Sequence, residues 1–276
     1  MKSNLLKAGV LLFAVSNFLF TSCSENDDSQ DVNDTSVELT AEDSRQAAIA
    51  QETSDGVYDI VESAYVEQEE EARNTSFFSD CVIITVSSEN GITFVTLDFG
   101  LGCQLNNGNV LSGKINITYG PVQNGTRTIN YSFENFTFNG KGVEGGATIF
   151  RERNNAAGNP QSTVNKDIVV SFPSGLTVDV SATREFEWIE GVGTGTWVDN
   201  AYLVTGNRTV NASTGFTQYG IITDALRREA TCPFFVSGAV EISRNAGMGI
   251  LDFGDGTCDN LATLTVNGNE HVIILN

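Results

Sequence analysis

The sequence has few of the side chains on which most catalytic and metal sites depend. It contains one histidine, His271, two tryptophans and five cysteines among 276 residues. A serine–histidine–aspartate triad, a cysteine–histidine pair and a zinc site therefore lack an obvious set of parts. No glycine-rich phosphate loop precedes a helix, so we expect neither nucleotide binding nor any other cofactor. His271 lies beside an apolar strand near the C-terminus, which predicts a surface or edge position.

Basic residues are also scarce, with 15 Lys and Arg against 35 Asp and Glu and a net charge of −20. Such an acidic surface argues against nucleic acid as a partner. The imbalance is concentrated near the N-terminus, where residues 23–71 hold sixteen acids and one base, Arg45. From Ser76 onward the ratio is nineteen acids to eleven bases. The acidic segment has few aromatic residues, so we expect a solvated spacer with no core of its own.

This spacer divides into a disordered acidic tether, residues 23–40, and a helical part, residues 41–72. Thr40-Ala41-Glu42-Asp43 resembles a capping box, and an irregular apolar stripe follows it. The sequence Ser54-Asp55-Gly56 predicts a possible break in the helix. Whether the stripe docks on the following domain is open at this stage.

The chain begins with an export signal, residues 1–22. Lys2 and Lys7 precede a short apolar run from Ala8 to Phe20, too short to span a bilayer permanently. Thr21-Ser22-Cys23 resembles the lipobox of bacterial lipoproteins. That resemblance implies that Cys23 carries acyl chains, palmitate among them, which would anchor the protein in a membrane. A simple secretory signal is the alternative.

The residues after Cys23 indicate a more specific cellular location. Ser24-Glu25-Asn26-Asp27-Asp28 resembles the acidic signal that directs lipoproteins of the Bacteroidota to the outer face of the outer membrane. The resemblance implies an outer-membrane lipoprotein at the cell surface. Its periplasmic face is the other possible location.

Residues 77–276 show the period-two alternation of β-strands. Glycine-rich and asparagine-rich turns separate about a dozen apolar alternating runs, and no convincing helix lies between them. We therefore predict one all-β domain, an antiparallel sandwich or barrel. A change of parity after Phe133 predicts a bulge near Glu134-Asn135.

The domain contains a duplicated unit of cysteine, strand, turn, strand, Leu-Asp-Phe-Gly and cysteine. One copy spans residues 81–103 and the other spans residues 232–258. A hairpin in each copy would bring its two cysteines together, which predicts disulfides Cys81–Cys103 and Cys232–Cys258. Four cysteines allow three pairings, so crossed bridges remain open. Disulfides suit an oxidising envelope compartment.

Taken together, the lipobox, the acidic tether and the paired cysteine hairpins resemble a group of Bacteroidota surface lipoproteins. The resemblance covers essentially the whole chain. It implies location and architecture, but the group has no established activity that would imply a function.

Asp252-Phe253-Gly254-Asp255-Gly256 resembles a turn of PKD-type extracellular adhesion domains. Asp252, Asp255 and Asp259 could also offer oxygen ligands to calcium, although their spacing is not that of an EF-hand. The favoured interpretation is that these aspartates and glycines serve the turn itself.

The best catalytic candidate is Glu185-Phe186-Glu187-Trp188-Ile189-Glu190, which resembles the signature of laminarinase-like glycoside hydrolases. The resemblance implies a jelly-roll fold with Glu185 as nucleophile and Glu190 as acid/base. Glu187 replaces the expected middle aspartate. Parity also places Glu185 and Glu187 on the solvent face of their strand.

The sequence therefore favours a lipid-anchored envelope protein with a non-catalytic binding or structural role. A polysaccharide or an envelope protein is the expected partner. A glycoside hydrolase that uses Glu185 and Glu190 is the alternative.

Overall fold

A computed structural model describes residues 39–69 and 75–275. The signal peptide, Cys23 and nearly all of the predicted tether lie outside these residues. The described chain contains one helix, α1 (Ala41–Glu69), and fourteen strands. The strands are β1 (Ile83–Glu89), β2 (Ile92–Asp98), β3 (Cys103–Gln104), β4 (Val110–Tyr119), β5 (Thr126–Phe138), β6 (Lys141–Glu152), β7 (Gln161–Ser171), β8 (Thr177–Glu190), β9 (Ala201–Ala212), β10 (Thr217–Glu229), β11 (Phe235–Arg244), β12 (Gly247–Asp255), β13 (Leu261–Val266) and β14 (Asn269–Ile274).

The strands form one antiparallel sheet in which neighbours in sequence are neighbours in space. The order runs from β1 to β14, and the short β3 pairs with β4 beside the main path. In the described part of the chain β1 and β14 do not pair, so the sheet is not closed. The prediction of an all-β antiparallel fold is confirmed. Local turns suffice to build this topology because each strand needs only a hairpin connection.

Alternation of side chains gives the sheet an inner face and an outer face. In β8 every second residue from Val178 to Trp188 is buried, while the residues between them face outward. The buried set of the whole sheet forms one core cluster with residues of α1. The inner face is therefore the one that faces α1.

The predicted bulge at Glu134-Asn135 is confirmed. The register of β5 shifts against both β4 and β6 at this point, and Asn135 has a positive φ of 49°. Gly113 of β4 lies against it with a φ of 76°, and a Cβ on that residue would lie 2.1 Å from the Asn135 carbonyl oxygen. Only glycine fits such a close approach of two backbones.

Helix α1 begins at the predicted cap. The Thr40 hydroxyl oxygen accepts a hydrogen bond from the backbone N–H of Asp43 at 3.1 Å. The helix then continues without interruption through Ser54-Asp55-Gly56, so no break occurs there. No described helix has the length and apolar character needed to cross a membrane.

For residues 41–69 the prediction of a solvated spacer is wrong, although their helical character is confirmed. Residues 70–72 of the predicted spacer lie outside the described residues. Nineteen helix residues are buried, and they lie on every side of the helix. Among the described residues, α1 and the strands belong to one compact unit. The acidic helix can be buried because basic side chains of the sheet pair with its carboxylates.

Candidate functional site

Seven consecutive strands each direct one basic side chain toward α1. We call these residues the base ladder: Arg127 (β5), Arg151 (β6), Lys166 (β7), Arg184 (β8), Arg208 (β9), Arg228 (β10) and Arg244 (β11). Five of them, from Arg151 to Arg228, are buried. A buried cation requires a counterion or hydrogen bonds, since desolvation otherwise costs several kcal/mol.

The acids of α1 are the counterions of the base ladder. At the C-terminal end of the helix, Arg127 contacts Glu69 at 2.7 Å. At the N-terminal end, Arg244 contacts Asp43 at 3.1 Å. The two end strands of the ladder, β5 and β11, therefore contact opposite ends of α1.

The remaining contacts lie between these two ends. Arg151 contacts Glu62 at 2.7 Å, and both side chains are almost fully buried. The guanidinium of Arg208 pairs with neutral groups instead: Nε donates to Gln51, and Nη2 donates to Gln218 at 2.8 Å. The ladder thus combines ion pairs with amide hydrogen bonds.

Asp55 lies at the centre of the ladder. Its carboxylate accepts a hydrogen bond from Lys166 Nζ and lies 4.0 Å from Arg184 Nε. Burial alone would raise the pKa of Asp55, but Lys166 and Arg184 outweigh it and hold that pKa below its usual value. The side-chain nitrogens of Arg184 form no hydrogen bond with the described residues. Asp55 is therefore the only counterion of Arg184 in this part of the chain.

Arg228 bridges two turns of the helix. It donates to Glu52 Oε2 at 2.8 Å and to Asp59 Oδ2 at 2.7 Å. Burial raises the pKa of Glu52 to about 7, although the nearby Arg228 opposes the rise. Because these acids and bases pair with one another within the core, the ladder holds α1 against the sheet.

Two of the cavities among the described residues are considered as candidate ligand sites. The first, which we call the end cleft, has a volume of about 260 Å³ beside the N-terminal half of α1. Four segments supply its lining: Ile49, Glu52 and Thr53 from α1, Phe138, Asn139 and Lys141 at the β5–β6 turn, Pro233 and Phe234 before β11, and Leu275 after β14.

The second cavity, which we call the outer groove, is a shallow polar depression of about 310 Å³ on the outer face of β7, β8 and β9. Its outward side chains are Asn165, Asp167, Ser181, Thr183, Asn207 and Thr209. The groove lies on a row of alternating threonine and asparagine that crosses six neighbouring strands. Direct cross-strand pairing aligns Thr118, Asn130, Thr148, Asn165, Thr183 and Asn207 in that row.

The proposed glycosidase residues are not brought together as a catalytic pair. Glu185 is exposed on the outer face, as parity predicts. Glu190 follows a bulge and forms a two-pronged ion pair with Arg227 at 2.9 and 3.0 Å, which lowers its pKa. Glu187 accepts hydrogen bonds from Asn155 and Asn159, both at 2.9 Å.

The two tryptophans do not line a sugar cleft. Trp188 and Trp197 are 1% and 6% exposed and belong to the core cluster. Trp197 packs edge-on against Phe77 with ring centroids 5.3 Å apart. Neither ring is available as a flat surface for a substrate.

The aspartates near the second cysteine hairpin bond to their own loops. Asp252 accepts from the N–H of Gly254 at 2.8 Å, Asp255 accepts from the Thr257 hydroxyl at 2.9 Å, and Asp259 accepts from the N–H of Leu261 at 2.9 Å. These contacts agree with the turn interpretation. Within residues 39–69 and 75–275, no group of three or more His, Cys, Asp or Glu could hold a metal ion.

Both predicted disulfides are present, Cys81–Cys103 and Cys232–Cys258, with Cα atoms 5.7 and 5.8 Å apart. His271 is exposed on β14 at the end of the sheet, as predicted. Cys23, the predicted lipidation site, lies outside the described residues.

Sequence reasoning missed the base ladder, although a signal for it exists. Arg184 has the parity of Phe186, and Arg208 has the parity of Val210, so each base lies on the apolar face of its strand. A base at an inward position on each of several successive strands indicates an acidic partner inside the sheet.

Comparison of the chain with protein-family models, curated proteins and solved structures returned no match. The class of protein is therefore defined by its own structure. It is an antiparallel β-meander with an acidic helix held against its base-lined inner face.

Proposed function

We propose that this protein is a lipid-anchored lipoprotein of the outer membrane, displayed at the cell surface, with a non-catalytic binding role. Acyl chains on Cys23 would hold it to the membrane, and residues 24–38 would separate the folded unit from the bilayer. The two disulfides support this location because they suit an oxidising compartment.

We propose further that the outer groove contacts a polysaccharide. The row of threonine and asparagine that runs through the groove is the observation that carries this proposal, because it repeats hydroxyl and amide groups across six strands. Sugar hydroxyls both donate and accept hydrogen bonds, and these side chains match both roles. A repeating polar row suits a repeating polar ligand.

Two further features, one in the groove and one beside it, favour a sugar. The carboxylate of Asp167 is exposed and forms no ion pair within the described chain, so it can accept hydrogen bonds from sugar hydroxyls. Tyr219 pairs with Thr209 across β9 and β10 and is 43% exposed. Its ring offers an amphipathic surface beside the polar groups.

A glycan screen tests the binding role. The chain with Cys23→Ser, exported so that both disulfides form, should retain a polysaccharide, and the variant Asp167→Asn with Asn207→Ala should lose it. Asp224→Asn, an exposed aspartate on β10 outside the groove, is the matched control and should bind normally. Equal binding by the groove variant and the control would contradict the proposal, as would the absence of any bound glycan.

Palmitate labelling and protease treatment of intact cells test the anchor and the location. Label should enter the natural chain and not the Cys23→Ser variant. External protease should degrade the natural protein, whereas complete protection would place it on the periplasmic face.

A further inference from the structure

The end cleft differs from the outer groove in the chemistry of its walls. Ile49, Phe138 and Leu275 are at most 5% exposed, and Phe234 packs against the same core while partly exposed. The apolar part of a ligand in the cleft would lose its contacts with water and gain contacts with these walls. This burial contributes roughly 25 cal/mol to the free energy of binding for each Å² of apolar surface removed from water.

Lys141 supplies the charge at this cleft. Its side chain is partly buried, and it forms neither a hydrogen bond nor an ion pair with the described residues. Burial lowers the pKa of Lys141, and no neighbouring carboxylate opposes that effect. The other charged residue of the lining, Glu52, is engaged by Arg228 at 2.8 Å. Lys141 is thus a partly desolvated cation without a counterion.

The size of the cleft limits what it can hold. Its volume of about 260 Å³ lies just below the roughly 300–1,000 Å³ of pockets for drug-sized ligands. This volume admits a single short apolar chain and is too small for a lipid with two long chains. The single ammonium group of Lys141 suits a ligand group that carries one negative charge, such as a carboxylate.

We propose that the end cleft binds a single-chain amphiphile, with its apolar chain between Phe138, Phe234 and Leu275 and its terminal carboxylate paired with Lys141 Nζ. The apolar walls and the unpaired ammonium carry this assignment together. It does not depend on the glycan proposal, which concerns the opposite face of the sheet.

Calorimetric titration of decanoate and decanol into the exported Cys23→Ser chain tests the assignment. Decanoate should bind, and Lys141→Met should weaken its binding about ten-fold, because a hydrogen bond to a charged group is lost. Decanol, which has no charge, should bind the two proteins alike. Lys141→Arg keeps the charge and should retain decanoate, while Phe234→Ala should weaken both ligands.

Lys114→Met is the matched control because Lys114 pairs with Asp98 on the outer face, away from the cleft. Thermal unfolding of each variant shows whether it is folded. If the natural Lys141 chain fails to bind decanoate, or if Lys141→Met and Lys114→Met bind it equally, the assignment is overturned. Neither result bears on the proposal that the outer groove binds a polysaccharide.

Discussion

Asp55 is an acidic residue that is buried in the core because two basic side chains lie beside its carboxylate. It lies in the middle of α1, fully buried, and faces both Lys166 and Arg184. Removing one member of a buried ion pair leaves its partner charged and desolvated. Since Arg184 forms no hydrogen bond with the described residues, the loss of Asp55 leaves two cations without a counterion.

The substitution Asp55→Asn should therefore lower the free energy of unfolding by about 3–5 kcal/mol. Glu42→Gln on the same helix is the control, because the exposed pair of Glu42 with Arg45 should contribute at most about 1 kcal/mol. Urea denaturation measures both changes. Equal, small effects of the two substitutions would show that Asp55 is not a buried counterion.

Glu52 should make stability depend on pH in the opposite sense from an ordinary ion-paired acid. Burial raises its pKa in the folded state to about 7, from an ordinary value of 4.5. The folded protein therefore binds a proton more tightly than the unfolded chain between these values, and the free energy of unfolding falls as pH rises through this range. Glu52→Gln should reduce that slope when unfolding is measured from pH 4.5 to 7. An unchanged slope would contradict the assignment.

The positions of the buried bases could have been predicted from the sequence, whereas their partners could not. Parity alone places Arg184 between Ala182 and Phe186 on an inward face. Nothing local to the strand specifies that its counterion is Asp55, more than a hundred residues earlier. The high density of acids in α1 therefore led to the prediction of a solvated helix. That prediction holds only for a segment whose charges have no buried partners of opposite sign in the folded protein.

At the scale of elements, α1 was predictable in extent and not in environment. The cap at Thr40 and the helical stripe locate its start and its type. Its apolar stripe is irregular because the buried surface extends around the whole helix, so periodicity gives no single face. The strands were easier to predict than the environment of α1. Alternation and turn residues predict most of them, and a change of parity predicts the bulge at Asn135.

Gly56 tests how closely the helix packs on the sheet. A Cβ at this position would lie 2.7 Å from Cζ of Phe138, closer than atoms can approach without a shift. In an exposed helix, replacement of glycine by alanine stabilises by about 1 kcal/mol. Here Gly56→Ala should destabilise the protein in thermal unfolding. Ser63→Ala, a partly buried position on the same helix, is the control and should not, whereas stabilisation by Gly56→Ala would mean that α1 is not packed on β5.

At the scale of the whole molecule, the sequence predicted the sheet and its two disulfides but not the cavities that we propose as ligand sites. The bridges followed from duplicated hairpins, which are local features. The end cleft brings together four segments that are distant in sequence, and the outer groove needs the register of three strands. Such assemblies depend on the course of the sheet around α1, which no local pattern specifies.

Hydrogen exchange of the full chain tests the central claim, that α1 is part of the core, most directly. We predict that the amides of residues 47–61 exchange only with global unfolding and are as protected as those of β8. A helix that served as a solvated spacer would open locally. Exchange in this segment orders of magnitude faster than in β8 would contradict the account.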